Sequence, residues 1–347
     1  MKVIRFVTYI LSTLVILFAL FLIYFTVKDY KPAPKKTLAQ TEHVQAIKKD
    51  TLELLIWNIG YCGLSEEMSF FYDGGEKVRT TRKQTLDNLK AVKDHLHQHS
   101  SLDFILLQEV DKASKRSYFI NENDSLNRAL KNHHSYFALN YKVSYVPIPL
   151  SNPMGKVTSG LASFSLYKPE KVIRHQFPGN YAWPKNLFML DRCFLVSRYP
   201  LKNGEELLVI NTHNSAYDDG ALKETQMKNL RQFITEEYNK GNYLIIGGDW
   251  NQYPPDIKRH QKSAQKFNLD KTSTIDRHYM PKEWEWAYDP GTATNRSLEK
   301  PLNEKTDKAV IDFYLLSPNI ELVEVNTQDL KFKNSDHQPV YLKVRLQ

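Results

Sequence analysis

The chain has little cysteine: Cys62 and Cys193 are the only two in 347 residues. Two cysteines cannot form the disulfide framework of a small secreted domain, and neither belongs to a Cys-x-x-Cys pair of the kind that binds structural zinc. One bridge or two unpaired thiols both fit the sequence, and two unpaired, partly buried thiols are the favoured interpretation. The cysteines therefore do not indicate the compartment of the protein.

The chain also lacks a concentrated positive charge outside its N-terminus. The formal net charge is +8, but residues 1–50 hold eight basic and three acidic residues, which leaves a surplus of three in the rest of the chain. Proteins that neutralise many nucleic-acid phosphates usually carry a stronger basic patch. Four basic residues could contribute to a nucleic-acid groove, but they form no evident cluster: Arg79, Arg82, Lys83 and Arg296.

One long run without charge is present, at residues 6–27. As a helix rising about 1.5 Å per residue, it would cross a hydrocarbon core of roughly 30 Å. A cleavable signal peptide is the alternative, but its apolar region is usually about 7–15 residues and is followed by a small-residue cleavage site. Here Tyr24, Phe25 and Tyr30 occupy that place. We therefore predict a retained single-pass membrane anchor over residues 1–27.

The side of the membrane is harder to predict, because lysines lie on both sides of the apolar run and the positive-inside rule does not decide. A short N-terminus before a large C-terminal domain favours a domain on the exported side. Residues 28–50 are polar and contain proline, which predicts a tether. Residues 51–347 are expected to form one folded domain.

Short apolar runs rich in β-branched and aromatic residues predict strands in that domain. They lie at 52–56, 104–108, 161–167, 193–197, 207–211, 243–247, 310–316 and 340–346. Helical spacing predicts helices over 81–99, with Leu86, Leu89 and Leu96 on one face, and over about 222–238. Strands outnumber helices and several follow one another directly, which favours two packed sheets flanked by helices over a doubly wound parallel sheet.

Polar side chains lie where these apolar strands stop or begin. They are Asn58, Glu109, His213, Asp249, Asn251, Asp312, Asp336 and His337. A strand would hold its terminal side chain at a sheet edge with little freedom, as an active site requires. The set is rich in carboxylate and amide oxygen and contains no thiolate, which suits Mg²⁺ or Mn²⁺ rather than structural zinc.

Each of these residues also has an ordinary structural explanation. Asn58 could be a turn residue, Glu109 a surface acid, and His213 a hydrogen-bonded core histidine. Asp249 and Asn251 could simply build a turn after two glycines. Several such coincidences in sequence order are much less probable than one.

Asp312 is harder to explain structurally, because it is flanked by Val310, Ile311 and Phe313 in an apolar strand. A buried carboxylate is costly without a partner. His337 is a plausible partner for it.

In this order the residues resemble the endonuclease/exonuclease/phosphatase superfamily, which includes deoxyribonucleases, apurinic endonucleases, neutral sphingomyelinases and inositol polyphosphate 5-phosphatases. The resemblance covers about residues 52–346. Its most specific parts are GGDWN at 247–251 and SDHQPV at 335–340, supported by QEV at 108–110 and NTH at 211–213. It implies an α/β fold, a four-layered α/β sandwich of two packed, mainly antiparallel sheets, with the site at the strand ends between them.

The resemblance also implies roles for the matching residues. Glu109 would be the main Mg²⁺ (or Mn²⁺) ligand, with Asn58 beside it and Asp336 near the metal. Deoxyribonuclease-like and sphingomyelinase-like enzymes of this kind are metal-dependent phosphohydrolases, so a phosphate ester would be the substrate.

For the catalytic step, His337 would be the general base and Asp312 would accept its ring N–H and fix the tautomer. Asp249 and Asn251 would orient the nucleophile and the phosphate oxygens. His213 would contact the phosphate or the leaving group.

Three functions remain open at this point. The predicted anchor favours a phosphodiesterase acting on a lipid or another membrane-associated substrate. A nuclease is the first alternative, although the scattered basic residues do not favour nucleic acid. A non-catalytic binding protein on the same fold is the second. An aromatic segment at 177–194 contains Phe177, Tyr181, Trp183 and Phe188, and packing is favoured over substrate recognition as its role.

Overall fold

The structure is a computed structural model, and it describes residues 1–216, 220–257 and 273–347. The helices are α1 Lys2–Lys28, α2 Arg82–Gln98, α3 Glu122–Ala129 and α4 Ala221–Tyr238. The strands are β1 Lys35–Gln40, β2 Thr51–Asn58, β3 Phe104–Asp111, β4 His134–Val146, β5 Gly155–Ser165, β6 Lys171–Gln176, β7 Cys193–Pro200, β8 Glu206–His213, β9 Tyr243–Asp249, β10 Glu285–Ala287, β11 Asn295–Arg296, β12 Lys308–Ala309, β13 Asp312–Leu316, β14 Ile320–Thr327 and β15 Val340–Leu346.

Most of these strands form two sheets. One has the order β14-β15-β2-β3-β5-β4 and the other β1-β6-β7-β8-β9-β13-β10. Among the described residues, only the β2–β3 and β8–β9 pairs are parallel, one in each sheet. The prediction of two mainly antiparallel sheets is therefore confirmed.

The sheets pack face to face, and helices cover their outer faces. Along β2, Leu54 and Ile56 point between the sheets, where they meet Val209 and Ile245 of the second sheet. Their neighbours on β2 pack against α2 and α3, and the outer face of the second sheet packs against α4. Strands buried on both faces need apolar residues at consecutive positions, which explains the unbroken apolar runs in the sequence. The result is four layers.

Helix α2 follows its predicted bounds and begins at an N-cap, where the Thr81 side chain accepts a hydrogen bond from the Gln84 backbone N–H at 3.2 Å. Leu89 and Leu96 are buried against the sheet as expected. Leu86, however, is exposed, so it was wrongly placed on the inner face.

The segment predicted to be a tether is only partly one. Strand β1 lies inside it and pairs antiparallel with β6, at the edge of the seven-stranded sheet. Ile47 adds an isolated bridge to Leu201 and is buried in the core between the sheets. The sequence of this segment shows little periodicity because an edge strand needs no continuous apolar face. The chain is thus tied to the folded domain from Lys35 onward.

Packing also answers two questions that the sequence left open, whether the cysteines pair and what the aromatic segment at 177–194 contacts. Cys62 and Cys193 are both free thiols and both buried, in different parts of the core. The aromatic segment divides: Phe177 is buried in the core beside α4, whereas Trp183 is exposed.

A buried amide pair joins the two sheets beneath the site. Asn211 of β8 accepts a hydrogen bond from Gln108 Nε2 at 2.8 Å and donates to the carbonyl oxygens of Leu107 and Ala162 at 3.1 and 3.2 Å. Both amide side chains are fully buried. The pair therefore fixes how β3 and β8 face each other.

Replacing Asn211 with alanine should lower the free energy of unfolding by about 2–4 kcal/mol, because it leaves several buried polar groups unsatisfied. Urea unfolding of the purified protein, followed by tryptophan fluorescence, would measure the change. Asn239→Ala, at the exposed end of α4, is the matched control and should change it by less than about 0.5 kcal/mol. Equal effects of the two substitutions would contradict the bridging role.

Candidate active site

Strand register brings three of the predicted residues together in the second sheet. His213 ends β8, Asp249 ends β9 and Asp312 begins β13, and Asp249 is the register partner of both of the others. They are therefore consecutive across three neighbouring strands. The short distance from His213 Nε2 to Asp249 Oδ2, 3.4 Å, follows from this register.

The first sheet contributes Asn58 and Glu109 from its parallel pair. Asn58 ends β2, and Glu109 lies on β3 where the register with β5 shifts between Leu107 and Val110. Glu109 has a φ of 55°, an uncommon backbone conformation for this residue type. A bulge of this kind redirects a side chain. It leaves the Glu109 side chain 25% exposed and lining a cavity.

Asn58 lies at the centre of the assembled residues. Its Nδ2 is 3.0 Å from Asp249 Oδ2, 3.4 Å from Glu109 Oε1 and 3.5 Å from His337 Nε2. Its Oδ1 accepts the backbone N–H of Gly60 at 3.0 Å, which orients the amide. In this arrangement Asn58 donates to the surrounding carboxylates. Its predicted role as an oxygen ligand of the metal stays a prediction, and the geometry favours a positioning role.

His337 precedes β15 and reaches across to the second sheet. Its Nδ1 lies 2.8 Å from Asp312 Oδ2, the geometry of a strong hydrogen bond. Its Nε2 is 3.0 Å from Asn295 Nδ2, 3.7 Å from Asp249 Oδ2 and 3.8 Å from Asp336 Oδ2. Asp312 therefore orients the ring so that Nε2 faces the other site residues.

The electrostatic environment separates the two histidines. Burial alone would lower the pKa of His337, but the carboxylates of Asp312, Asp336 and Asp249 raise it well above its ordinary value. Burial, with the charges of Arg192 and His337, lowers the pKa of His213 well below its ordinary value. By the same reasoning His213 is neutral near pH 7, whereas the three carboxylates favour the protonated form of His337. A cation beside those carboxylates would offset part of their charge and favour the neutral form of His337 that a general base needs.

Two buried carboxylates, those of Asp336 and Asp249, have pKa values above the ordinary value of an aspartate. Burial, reinforced by the charge of Glu109, raises the pKa of Asp336 to about 7. Burial and the charge of Asp312 raise the pKa of Asp249. Such carboxylates favour a cation that would hold them ionised. Glu109 and Asp336 line the same cavity, so the donor set fits a hard divalent ion with oxygen ligands.

A second arrangement of possible ligands overlaps this one. Asp249, Asp312 and His337 each offer a ligand atom, and these atoms lie within 4.8 Å of one another. Asp312 Oδ2 and His337 Nδ1 already form a 2.8 Å hydrogen bond, whereas Asp312 Oδ1 is buried without a hydrogen-bond partner in the described part of the protein. The prediction that His337 and Asp312 form the acid–base pair, with the cation on the side of Glu109 and Asp336, therefore stays a prediction.

The site opens into a cavity of about 530 Å³. Glu109, His213, Asp249, Asn251, Asp336 and His337 lie on its lining. Much of the remaining lining is apolar and includes Leu64, Phe70, Ile148, Met154, Phe188 and Leu298. Asn251 is held by its backbone N–H on Asp249 Oδ1 at 2.9 Å and by its side chain on the Asn214 carbonyl at 2.9 Å. All eight predicted residues therefore meet at this cavity or directly behind it.

Residues 55–337 match the model of the Endonuclease/Exonuclease/phosphatase family. The chain belongs to that family. Members of this family are phosphodiesterases and nucleases, and they are generally dependent on a divalent metal.

Individual relatives are more distant. A UPF0294 protein of Vibrio campbellii (strain ATCC BAA-1116) is 26% identical over 116 residues, which is 33% of this chain and 39% of that protein. The matched part thus spans well under half of that relative.

Solved structures with the same fold include an endonuclease/exonuclease/phosphatase from Beutenbergia cavernae DSM 12333, with a TM-score of 0.58, 16% identity, and coverage of 86% of this chain and 72% of the other. D. rerio TDP2 complexed with single-strand DNA product has a TM-score of 0.51, 12% identity, and coverage of 86% and 100%. At these identities the similarity shows the fold alone.

Some site residues of this family member were not predicted from its sequence. Asn295 lies on β11, which pairs with β12, and contacts His337. These two short strands contain no apolar run by which the sequence could have indicated them. Arg116 binds Asp111 through two hydrogen bonds of 3.0 and 3.2 Å, lies over the Tyr61 ring at 3.7 Å and comes within 3.9 Å of Glu109. Arg116 therefore supports the bulge that presents Glu109. Its position five residues after the end of QEVD, which ends at Asp111, was the only available signal.

Proposed function

We propose that this chain is a membrane-anchored, Mg²⁺-dependent phosphodiesterase that cleaves a lipid or another membrane-associated phosphate ester. One observation carries the proposal: His337, held by Asp312, faces the same cavity as Glu109, Asp336 and Asp249. That arrangement unites a base with acids able to hold a hard cation. It is the minimum that hydrolysis of a phosphodiester requires.

The proposed step is attack of water on phosphorus. His337 takes the proton of the water through Nε2, the water oxygen bonds to phosphorus, and the bond from phosphorus to one ester oxygen breaks. The leaving alkoxide then takes up a proton. Asp312 stabilises the imidazolium that forms on His337, because its carboxylate already accepts the Nδ1 proton. Asp249 and Asn251 border the place that the nucleophile and the phosphate oxygens would occupy.

A divalent cation would be held by Glu109 and Asp336 in this proposal. When bound, it supplies charge compensation for the phosphoryl oxygens. Asn58 positions Glu109 and Asp249 by donating hydrogen bonds to both, and the Arg116 guanidinium lies 3.9 Å from the Glu109 carboxylate. Neutral His213 is placed to donate a hydrogen bond to a phosphate oxygen or to the leaving group.

Two observations support a lipid or membrane-associated substrate. Helix α1 is long and apolar enough to cross a membrane, although a signal sequence at an N-terminus has the same properties. The cavity beside the acid–base group has an extensive apolar lining, which suits the glycerol or ceramide portion of a lipid. We propose a retained anchor with the catalytic domain on the exported side.

A nuclease is the main competing function, and the cavity gives it less support. Arg116 is bound to Asp111, and Arg296 is buried and donates to the backbone carbonyls of Ser65 and Ser297. Lys83, on α2, pairs with Asp87 at 2.6 Å. Arg116 and Arg296 are thus engaged within the protein and Lys83 forms an exposed ion pair on α2, whereas a nucleic-acid groove needs several cations that face the backbone phosphates together.

The test offers purified full-length protein in detergent micelles four substrates: sphingomyelin, glycerophospholipids, plasmid DNA and phosphorylated inositols, each with Mg²⁺ and with EDTA. We expect phospholipid hydrolysis with Mg²⁺ and none with EDTA, measured by release of the phosphorylated headgroup. Hydrolysis of DNA alone would show that the substrate is a nucleic acid and not a lipid. Failure to cleave any of the four would favour a binding protein on this fold.

A further inference from the structure

The end of α1 is packed on the catalytic domain rather than separated from it. The Phe25 side chain is only 9% exposed, and its ring centroid lies 5.5 Å from that of Phe188 and 6.4 Å from that of Tyr145. Phe21, one turn earlier, lies 6.1 Å from Phe188. Trp183 Nε1 donates to Thr26 Oγ1 at 3.2 Å.

These contacts fix the height of the domain above a membrane. Phe21 and Phe25 lie near the end of the apolar run, where a helix that crosses the hydrocarbon core reaches the headgroup region. Residues packed against them lie at the same depth. Trp183 and Tyr145 are therefore at the level where tryptophan and tyrosine are favoured in membrane proteins.

The residues that contact α1 also border the catalytic cavity. We call residues 145–153 and 181–190 the cavity rim. Pro147 and Ile148 from the first segment and Phe188 from the second line the cavity. The mouth of the site therefore lies beside the end of the membrane-crossing helix.

The cavity rim carries exposed apolar side chains. Leu150 is 86% exposed, Trp183 is 60% exposed, and Ile148 is also exposed. Three large apolar side chains left in water on one rim indicate a surface that binds something apolar. Basic side chains lie on the rim and close to it: Lys185 of the rim lies over the Tyr181 ring, and Lys142, three residues before the rim, lies over the Tyr30 ring just after α1. Apolar tips with lysines beside them suit an anionic lipid surface.

We propose that the cavity rim is inserted into the surface of the same bilayer that α1 crosses, so that the cavity opens onto the membrane. Leu150 and Trp183 enter the headgroup region, and the substrate passes from the bilayer into the cavity without crossing water. The second part rests on the proposed phospholipid hydrolysis. The first part, the insertion of the rim, rests on the proposed membrane anchor but not on catalysis, and can be tested separately.

The first experiment measures insertion. Full-length protein is reconstituted in phosphatidylcholine–phosphatidylglycerol vesicles with or without brominated acyl chains, and quenching of tryptophan fluorescence is recorded. Trp183 is the strongly exposed tryptophan, whereas Trp57 and Trp250 are buried. We expect brominated lipid to quench the wild type, and Trp183→Phe to remove most of that quenching. Trp286→Phe is the control: Trp286 is partly buried on β10, and its replacement should leave the quenching by brominated lipid unchanged. Equal quenching in wild type and Trp183→Phe would overturn the insertion.

The second experiment separates membrane access from catalysis. Leu150→Glu should lower turnover of a long-chain phospholipid in vesicles about tenfold or more, since it replaces apolar burial with a charge, and leave a water-soluble aryl phosphodiester unaffected. Val323→Glu, at an exposed apolar position on β14, is the control and should change neither rate. Equal loss on both substrates, or no loss on vesicles, would overturn membrane access through the rim. If the wild type cleaves neither substrate, the proposed function fails while the quenching experiment still decides the insertion.

Discussion

Replacing His337 with alanine is expected to lower turnover by about 10²–10⁴-fold, the range for a lost general base. The imidazole is buried, oriented by Asp312 at 2.8 Å, and directed through Nε2 toward the cavity. Water bound in its place would have a much lower affinity for the proton. The rate should be measured at saturating Mg²⁺ on whichever substrate the wild type cleaves, so that the effect reports the catalytic step.

Two further variants make the His337 result specific. Asp312→Asn keeps the shape of the side chain but removes the charge that stabilises the imidazolium, so turnover should fall in the same direction. His97→Ala, on the exposed face of α2, should leave the rate unchanged. Circular dichroism of each variant checks that the fold is retained. Near-normal turnover in folded His337→Ala protein would refute the acid–base assignment.

Replacing Glu109 should produce a loss of similar size for a different reason. Glu109→Ala removes the most accessible carboxylate of the proposed cation site, and we expect turnover to fall by about 10²–10⁴-fold, as for a lost electrostatic group. A milder variant, Glu109→Gln, keeps the size of the side chain. It should raise the Mg²⁺ concentration needed for half-maximal activity, because a neutral amide is a weaker ligand for a hard cation.

Activity measured as a function of Mg²⁺ concentration distinguishes this effect from general damage. A ligand change shifts the Mg²⁺ dependence, whereas a loss of folded protein lowers the maximum alone. Glu283→Gln, at an exposed position before β10, is the control and should alter neither. Isothermal titration of Mg²⁺ into both proteins gives a readout that does not depend on turnover. Unchanged Mg²⁺ affinity in Glu109→Gln would place the cation elsewhere, for example at Asp249, Asp312 and His337.

Much of the architecture could be predicted because the core strands are buried on both faces. Burial on both faces requires apolar residues at consecutive positions, so β2, β3, β8 and β9 are visible as apolar runs. Strands β4, β6 and β14 were missed, since their burial is incomplete and polar residues interrupt them. Strand β1 was mistaken for tether for the same reason.

The identity of the site residues was equally accessible, whereas their geometry was not. A polar residue at the end of a buried strand is conspicuous in the sequence, as Asn58 and Asp249 illustrate. Which strands lie side by side is set by long-range pairing, and so is the bulge that gives Glu109 its positive φ. The contact of Asn295 with His337 joins residues that no local pattern relates.

The sequence by itself determined the apolar N-terminal helix, the succession of core strands and the set of polar residues that close them, because each of these depends on local composition and periodicity. Only the tertiary structure decided that α1 packs against Phe188 and that the same segment borders the catalytic cavity. Contacts between distant segments depend on how whole layers pack. No short stretch of sequence contains that information.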